Sequence, residues 1–130
     1  MDRVIAKGRW GTVEWALDAR GAMPAREDYE SLTRERQAKM LALFRKLAEA
    51  GSIVNREQFH KLGPKGGRSG SELREFKRFQ DRFLGDFRPG GRFLVASHEH
   101  KKSDRLDSAV VARAVRVLAE NDLYEAQHGR

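Results

Sequence analysis

The chain has 130 residues, 39% hydrophobic and 35% charged, with a net charge of +7 and a sequence pI near 10.1. That length suits one domain burying roughly two thirds of its unfolded surface, and the share of Leu, Val, Phe and Trp is too high for a disordered polyelectrolyte, despite a mean hydropathy of -0.72. The absence of cysteine excludes disulfides, thiolate metal sites and a cysteine nucleophile, and no apolar run suits a signal peptide or a membrane span, so a cytoplasmic protein is expected.

In chain order, Val13, Trp15 and Leu17 alternate with Thr12, Glu14 and Ala16, the period of a half-buried strand, closed by turn residues from Asp18 to Gly21. Pro24 suits a first helical position and is followed by acid at Glu27 and Asp28, which predicts a short helix to about Leu32. Thr33 is placed to cap a second helix. Met40, Leu43, Phe44 and Leu47 form its buried stripe and Gly51 ends it, a scaffold helix with no chemistry implied.

Residues 61 to 71 contain four glycines, one proline and three cations, which predicts an irregular basic loop. The loop lacks the Gly-Lys-Ser/Thr ending of a nucleotide-binding phosphate loop. Three strands are then expected at Glu72 to Phe79, Arg82 to Phe87 and Arg92 to His100, the last two joined by a turn at Arg88-Pro89-Gly90-Gly91. A cap at Ser103-Asp104 or Asp107-Ser108 opens a last helix whose stripe is Val110, Val111, Ala114, Val117 and Leu118, with a polar tail expected to fray beyond Asn121. The pattern as a whole predicts one α+β domain over residues 1–130: an N-terminal strand, two helices, an antiparallel sheet of three to four strands and a C-terminal helix.

The charge is concentrated. Residues 61 to 102 hold 11 Lys/Arg against 5 Asp/Glu, and so carry +6 of the +7. Solubility accounts for a net charge, whereas clustering is the footprint of a polyanion-binding face, here most readily RNA. Lys65, Arg68, Arg74, Lys77, Arg78 and Lys102 are the candidate phosphate-binding residues. Cleavage of RNA without a metal needs a base for the 2′-hydroxyl, cations for the phosphorane and an acid for the leaving oxygen. His98 and His100 lie two apart in an expected strand and so share one face, and imidazoles titrate near neutral pH. The same pair could equally be solvent-facing residues of an edge strand. Lys101 and Lys102 suit phosphate contacts, and Lys101 is the further acid–base candidate if the histidines have no such role.

The order of segments also resembles a known family. Asp28-Tyr29-Glu30-Ser31-Leu32, Arg34 to Lys39 and Leu43 to Gly51 look like paired helices; Glu72 to Lys77, Asp81 to Leu84 and Leu94 to Lys102 look like three strands, and Lys101-Lys102 precede a helix. Over about residues 28–119 this is similar to the RelE/HigB superfamily of type II toxins, particularly its phage-derived, HigB-like branch. The resemblance implies a RelE-like (microbial RNase-like) fold and a metal-independent, ribosome-dependent mRNA endonuclease without a cofactor. Its restraining partner would be a cognate antitoxin, HigA-like with a helix-turn-helix, the toxin being monomeric or a hetero-oligomer with it. It also implies that Arg82 matches the strand arginine placed at the scissile phosphate. Family members that share the fold inhibit gyrase without cleaving RNA, so a ParE-type inhibitor and a plain RNA-binding module stay open. Here Tyr124 lies beyond the matched region, which leaves base stacking unassigned, and neither Tyr29 nor His60 can be placed relative to the site.

Overall fold

The computed structural model describes residues 2–62, 73–101 and 107–130. Among these residues, six strands form one mixed sheet: β1 (Val4–Lys7), β2 (Thr12–Trp15), β3 (Phe59–Lys61), β4 (Arg74–Arg78), β5 (Asp81–Arg88) and β6 (Arg92–His100), in the order β1-β2-β6-β5-β4-β3. Three helices accompany them: α1 (Pro24–Glu30), α2 (Arg34–Ala50) and α3 (Ser108–His128). No helix among the described residues is long and apolar enough to cross a membrane.

The α+β class holds, but the expected antiparallel sheet of three to four strands is replaced by this larger mixed one. β2 runs parallel to β6, with Thr12 opposite Arg92 and Trp15 opposite Val95. A backbone contact sets this pairing: Thr12 N donates to Gly91 O at 2.8 Å, and a Cβ on Gly11 would lie 1.9 Å from that same oxygen. Only glycine permits so close an approach. β1 and β3 are short edge strands, and Lys61 belongs to β3 rather than to an irregular loop.

Helices cover both faces of the sheet. On one face α1 and α2 bury Met40, Phe44 and Leu47 against Trp15, Phe76, Phe83, Phe93 and Val95. Phe44 meets Phe76 and Phe83 edge-on, with centroids at 4.8 and 5.7 Å. On the other face α3 lays Ala114, Val117 and Leu118 over Leu84, Leu94 and Ala96. Each such large apolar side chain stabilises the fold by roughly 1.5–3 kcal/mol.

α3 does not fray at Asn121. It continues to His128 because distant segments hold its polar residues: Asn121 Oδ1 accepts from Leu17 N at 2.9 Å, and Glu125 accepts from Arg92 at 2.9 and 2.7 Å and from Arg3 at 2.7 Å. Of the two expected caps, Asp107 opens α3, accepting from Ala109 N at 2.9 Å; Ser103-Asp104 lies outside the described residues.

Candidate functional site

The Thr33 side chain caps α2 by accepting from Arg36 N at 3.2 Å, which fixes Arg36 in the first turn. β4 and β5 are joined by a two-residue turn, Phe79-Gln80, closed by the pair Arg78 and Asp81. Asp81 therefore starts β5 beside the first turn of α2, and its carboxylate is buried. Arg36 grips it with both prongs, Nε to Oδ2 at 2.8 Å and Nη2 to Oδ1 at 2.6 Å. His98 Nε2 lies 3.0 Å from Oδ1 and His100 Nδ1 lies 3.4 Å from it. Burial alone would raise the Asp81 pKa, but the hydrogen bonds from Arg36 and His98 outweigh it and bring the value down to about 2.

These contacts constrain the ring protons. A carboxylate only accepts, so His98 carries a proton on Nε2, and its Nδ1 stands 4.0 Å from Asp28 Oδ2. An arginine only donates. The 3.0 Å contact from Arg36 Nη2 to His100 Nδ1 thus requires a bare Nδ1 in the neutral ring, with the hydrogen on Nε2. If His100 gains a proton, Nδ1 turns to Asp81 as donor. His98 is nearly covered, whereas the His100 side chain is 47% exposed.

A cleft of about 270 Å³ opens beside the cluster, lined by Thr33, Lys39, Phe79, Gln80 and His100 among others. Phe79 is 66% exposed and its φ of 55° lies in the left-handed region. Lys39 Nζ sits 4.7 Å and Arg78 Cζ 4.8 Å from its ring centroid. A polyanion entering here would meet the cations of Arg36 and Lys39, the Glu35 carboxylate paired with Lys39 at 3.1 Å, one exposed imidazole and the Phe79 ring with Lys39 and Arg78 over it.

The four residues expected to act together are divided by the sheet. His98 and His100 project to the α1/α2 face with Phe83 and Asp81, and the His98 ring lies 4.5 Å from that of Phe83. Arg82 and Lys101 project to the opposite face. Arg82 is opposite Lys77 and Glu99 in register, is 3% exposed, and has Nη1 3.9 Å from Glu75 Oε2; Lys101 Nζ lies 3.4 Å from Glu99 Oε1. The reason is the alternation of strand side chains together with a cross-strand register that puts Phe83, not Arg82, opposite His98.

The expected phosphate binders separate as well. Arg78 lies over the ring of Phe79, which lines the cleft. Arg74 is engaged by Asp86 at 2.7 Å and lies over Phe87, and Lys77 shares the Arg82 face. Lys65, Arg68 and Lys102 lie outside the described residues. Tyr29 belongs to the core layer, donating its hydroxyl to Gln37 O at 3.0 Å, and His60 Nε2 pairs with Glu75 Oε1 at 2.9 Å on the Arg82 face.

Arg36, Lys39 and Asp81 were not expected at the site. The usable signal was the tight spacing of the strands around Phe79-Gln80, which marks a hairpin tip, and the cap at Thr33, which places Arg36 one turn in. Among the described residues no group of three or more His, Asp or Glu side chains could hold a metal ion. No protein-family model matches the chain, and no curated protein matches it either.

Proposed function

We propose that the chain is an RNA-cleaving toxin of the RelE/HigB kind, acting on mRNA at the ribosome and restrained by a cognate antitoxin. One observation supports this reading above the others: an exposed imidazole, His100, is backed by the buried Asp81 carboxylate and shares a cleft with the cations of Arg36 and Lys39. The resemblance over residues 28–119 and the +6 of residues 61 to 102 support it independently.

In this reading the 2′-hydroxyl loses its proton, the 2′-oxygen attacks the adjacent phosphorus, and the bond to the 5′-oxygen breaks with proton transfer to that oxygen. His100 suits the acid role. As imidazolium it would donate from Nδ1 to Asp81 and from Nε2 to the leaving oxygen, while the cations stabilise charge that grows on the phosphorane. With Nε2 turned to Asp81, the neutral His98 ring would offer Nδ1 as the candidate base. Arg82, buried on the opposite face, supports the fold in this scheme rather than the phosphate.

The test is single-turnover cleavage of programmed ribosomes at saturating protein. The wild-type protein is expected to cut translated mRNA and leave free RNA intact; His100→Ala is expected to lower the rate by about 10² to 10⁴ and to alter its pH profile. Intact mRNA with the wild-type protein would overturn the nuclease reading. A second reading, RNA binding without cleavage, is favoured by the separation of Arg82 from the histidines, and it predicts ribosome binding with no cut product. Inhibited supercoiling by gyrase would instead point to the ParE-type activity.

A further inference from the structure

We propose that Phe79 is a stacking platform for one unpaired base of single-stranded RNA, with the phosphate next to that base held by Lys39 and Arg78. This rests on the reading above that the chain handles RNA, and it adds the form of the substrate and a subsite for it.

Phe79 stands apart from every other phenylalanine in the chain. Phe44, Phe76, Phe83 and Phe93 are buried, and Phe59 and Phe87 pack against the core, but Phe79 is 66% exposed at a hairpin tip. Its backbone is also costly. At φ 55° a glycine or asparagine would close the two-residue turn with less strain, so neither burial nor turn geometry accounts for a bulky ring here. Non-glycine residues held in that region collect at functional sites.

The surroundings specify the ligand. Lys39 comes from α2 and Arg78 from β4, and each lies over the ring, 4.7 and 4.8 Å from its centroid, with Lys39 also paired to Glu35 at 3.1 Å, so a base stacking on the ring takes the place of a cation and leaves that cation to meet the adjoining phosphate. The cleft of about 270 Å³ falls below the roughly 300–1,000 Å³ usual for drug-sized ligands, which suits one base. A duplex buries the faces of its bases, so only an unpaired base can use the ring. Aromatic stacking tolerates every base, which fits a protein that reads position rather than sequence.

The experiment uses the full chain and a short single-stranded RNA with 2-aminopurine at one position and 2′-O-methyl groups throughout, so that binding is read without cleavage. Wild-type protein is expected to quench the 2-aminopurine, and Phe79→Trp to keep the quench. Phe79→Leu, apolar without a π-face, and Phe79→Asn are expected to lose it and to weaken binding by about 5- to 150-fold. An oligomer abasic at the reporter position is expected to bind wild type as weakly as the intact oligomer binds Phe79→Asn. The melting temperature of Phe79→Asn is expected to equal or exceed that of wild type, because asparagine accepts the left-handed backbone. Quenching retained in Phe79→Asn, an abasic oligomer bound as tightly as the intact one, or a clearly lower melting temperature in that variant would each overturn the proposal. RNA binding that ignores Phe79 overturns the platform alone, and no binding by wild type overturns the RNA reading with it. Phe79-dependent quenching alongside uncut mRNA at the ribosome upholds the platform and overturns only the nuclease reading.

Discussion

At the Arg92 end of β6 a buried guanidinium holds two carboxylates, Glu14 at 2.8 and 3.1 Å and Glu125 at 2.9 and 2.7 Å, and Arg3 joins Glu125 from β1's leading segment. At the His100 end a buried carboxylate, Asp81, holds one guanidinium and two imidazoles. The ingredients are alike and the cover differs. The Arg92 side chain is 5% exposed, with α3 closed over the cluster, whereas at the other end Arg36 and His100 are open to solvent beside the cleft. A saturated, covered cluster joins β2, β6 and α3; a cluster with the same bonds and an open rim can also meet a ligand. Exposure, rather than the presence of charge pairs, separates the closed cluster from the one open to a ligand.

The largest effect that tests this contrast is expected from Arg92→Ala. Removing the guanidinium leaves the buried Glu14 and the part-buried Glu125 with Arg3 alone between them, a loss that should approach the about 3–5 kcal/mol typical of breaking a buried pair. The hydrogen bonds to Glu125, followed by those to Glu14, hold the Arg92 pKa above the ordinary arginine range, consistent with a tightly held charge. Denaturant unfolding measures the loss, and a change under 1 kcal/mol would show the covered cluster to be dispensable.

Acid should loosen both ends. Asp81 and Glu125 are each lowered to about 2, Asp81 by Arg36 and His98 against the opposing effect of burial, and Glu125 chiefly by its hydrogen bonds to Arg92. A carboxylate with a depressed folded pKa contributes stability that is present above its unfolded value and is lost as pH falls through the folded one. The window therefore runs from about pH 4.5 for Glu125 and about pH 4 for Asp81 down to about pH 2, and each group contributes up to about 2–3 kcal/mol. Asp81→Asn is expected to remove part of this slope while leaving the Glu125 part; an unchanged acid limb would mean that Asp81 holds Arg36 only weakly.

A smaller effect separates position from charge at the open end. Thr33→Ala removes the α2 cap and is expected to cost about 1 kcal/mol, measured by thermal or denaturant unfolding. Because Arg36 sits in the capped turn, the same variant should also weaken the RNA binding proposed for this cleft. Lost stability with unchanged binding would show that Asp81, not the cap, positions Arg36.

How much of this was legible in the chain depended on the range of the interaction that decides it. α2 was legible because its cap, stripe and stop at Thr33, Phe44 and Gly51 are all local. The β5–β6 turn was legible because Gly90 and Gly91 both adopt positive φ. β1 and β3 were not, since strands of four and three residues carry too little alternation. The parallel β2–β6 pair joins residues some eighty positions apart, and Glu125 is ordered by Arg3 and Arg92, which no pattern around it reveals. At the site, period two correctly put His98 and His100 on one face. Placing Arg82 on the other required the register between β5 and β6.

The smallest expected effect isolates the Arg82 face from both ends of β6 and has the opposite sign. His60 Nε2 lies 2.9 Å from Glu75 Oε1 and its Nδ1 lies 2.8 Å from Arg56 O, so both ring nitrogens face acceptors and only the imidazolium can donate to both. The hydrogen bond with Glu75 raises the His60 pKa; burial opposes it, and the Arg56 carbonyl adds to the rise. A group with a raised folded pKa contributes stability that is fully present below its unfolded value, near 6.5, and lost as pH rises through the folded one. The His60 side chain is 30% exposed, so solvent screening limits the contribution to a few tenths to about 1 kcal/mol. Unfolding free energies at pH 6 and pH 9 should show wild type losing that much more than His60→Gln, with the acid limb below pH 4.5 nearly unchanged in both. Equal losses in the two proteins would remove His60 from the electrostatics of this face. A loss confined to the acid limb would mean that the Glu75 carboxylate, rather than the imidazolium, is the group the pair stabilises.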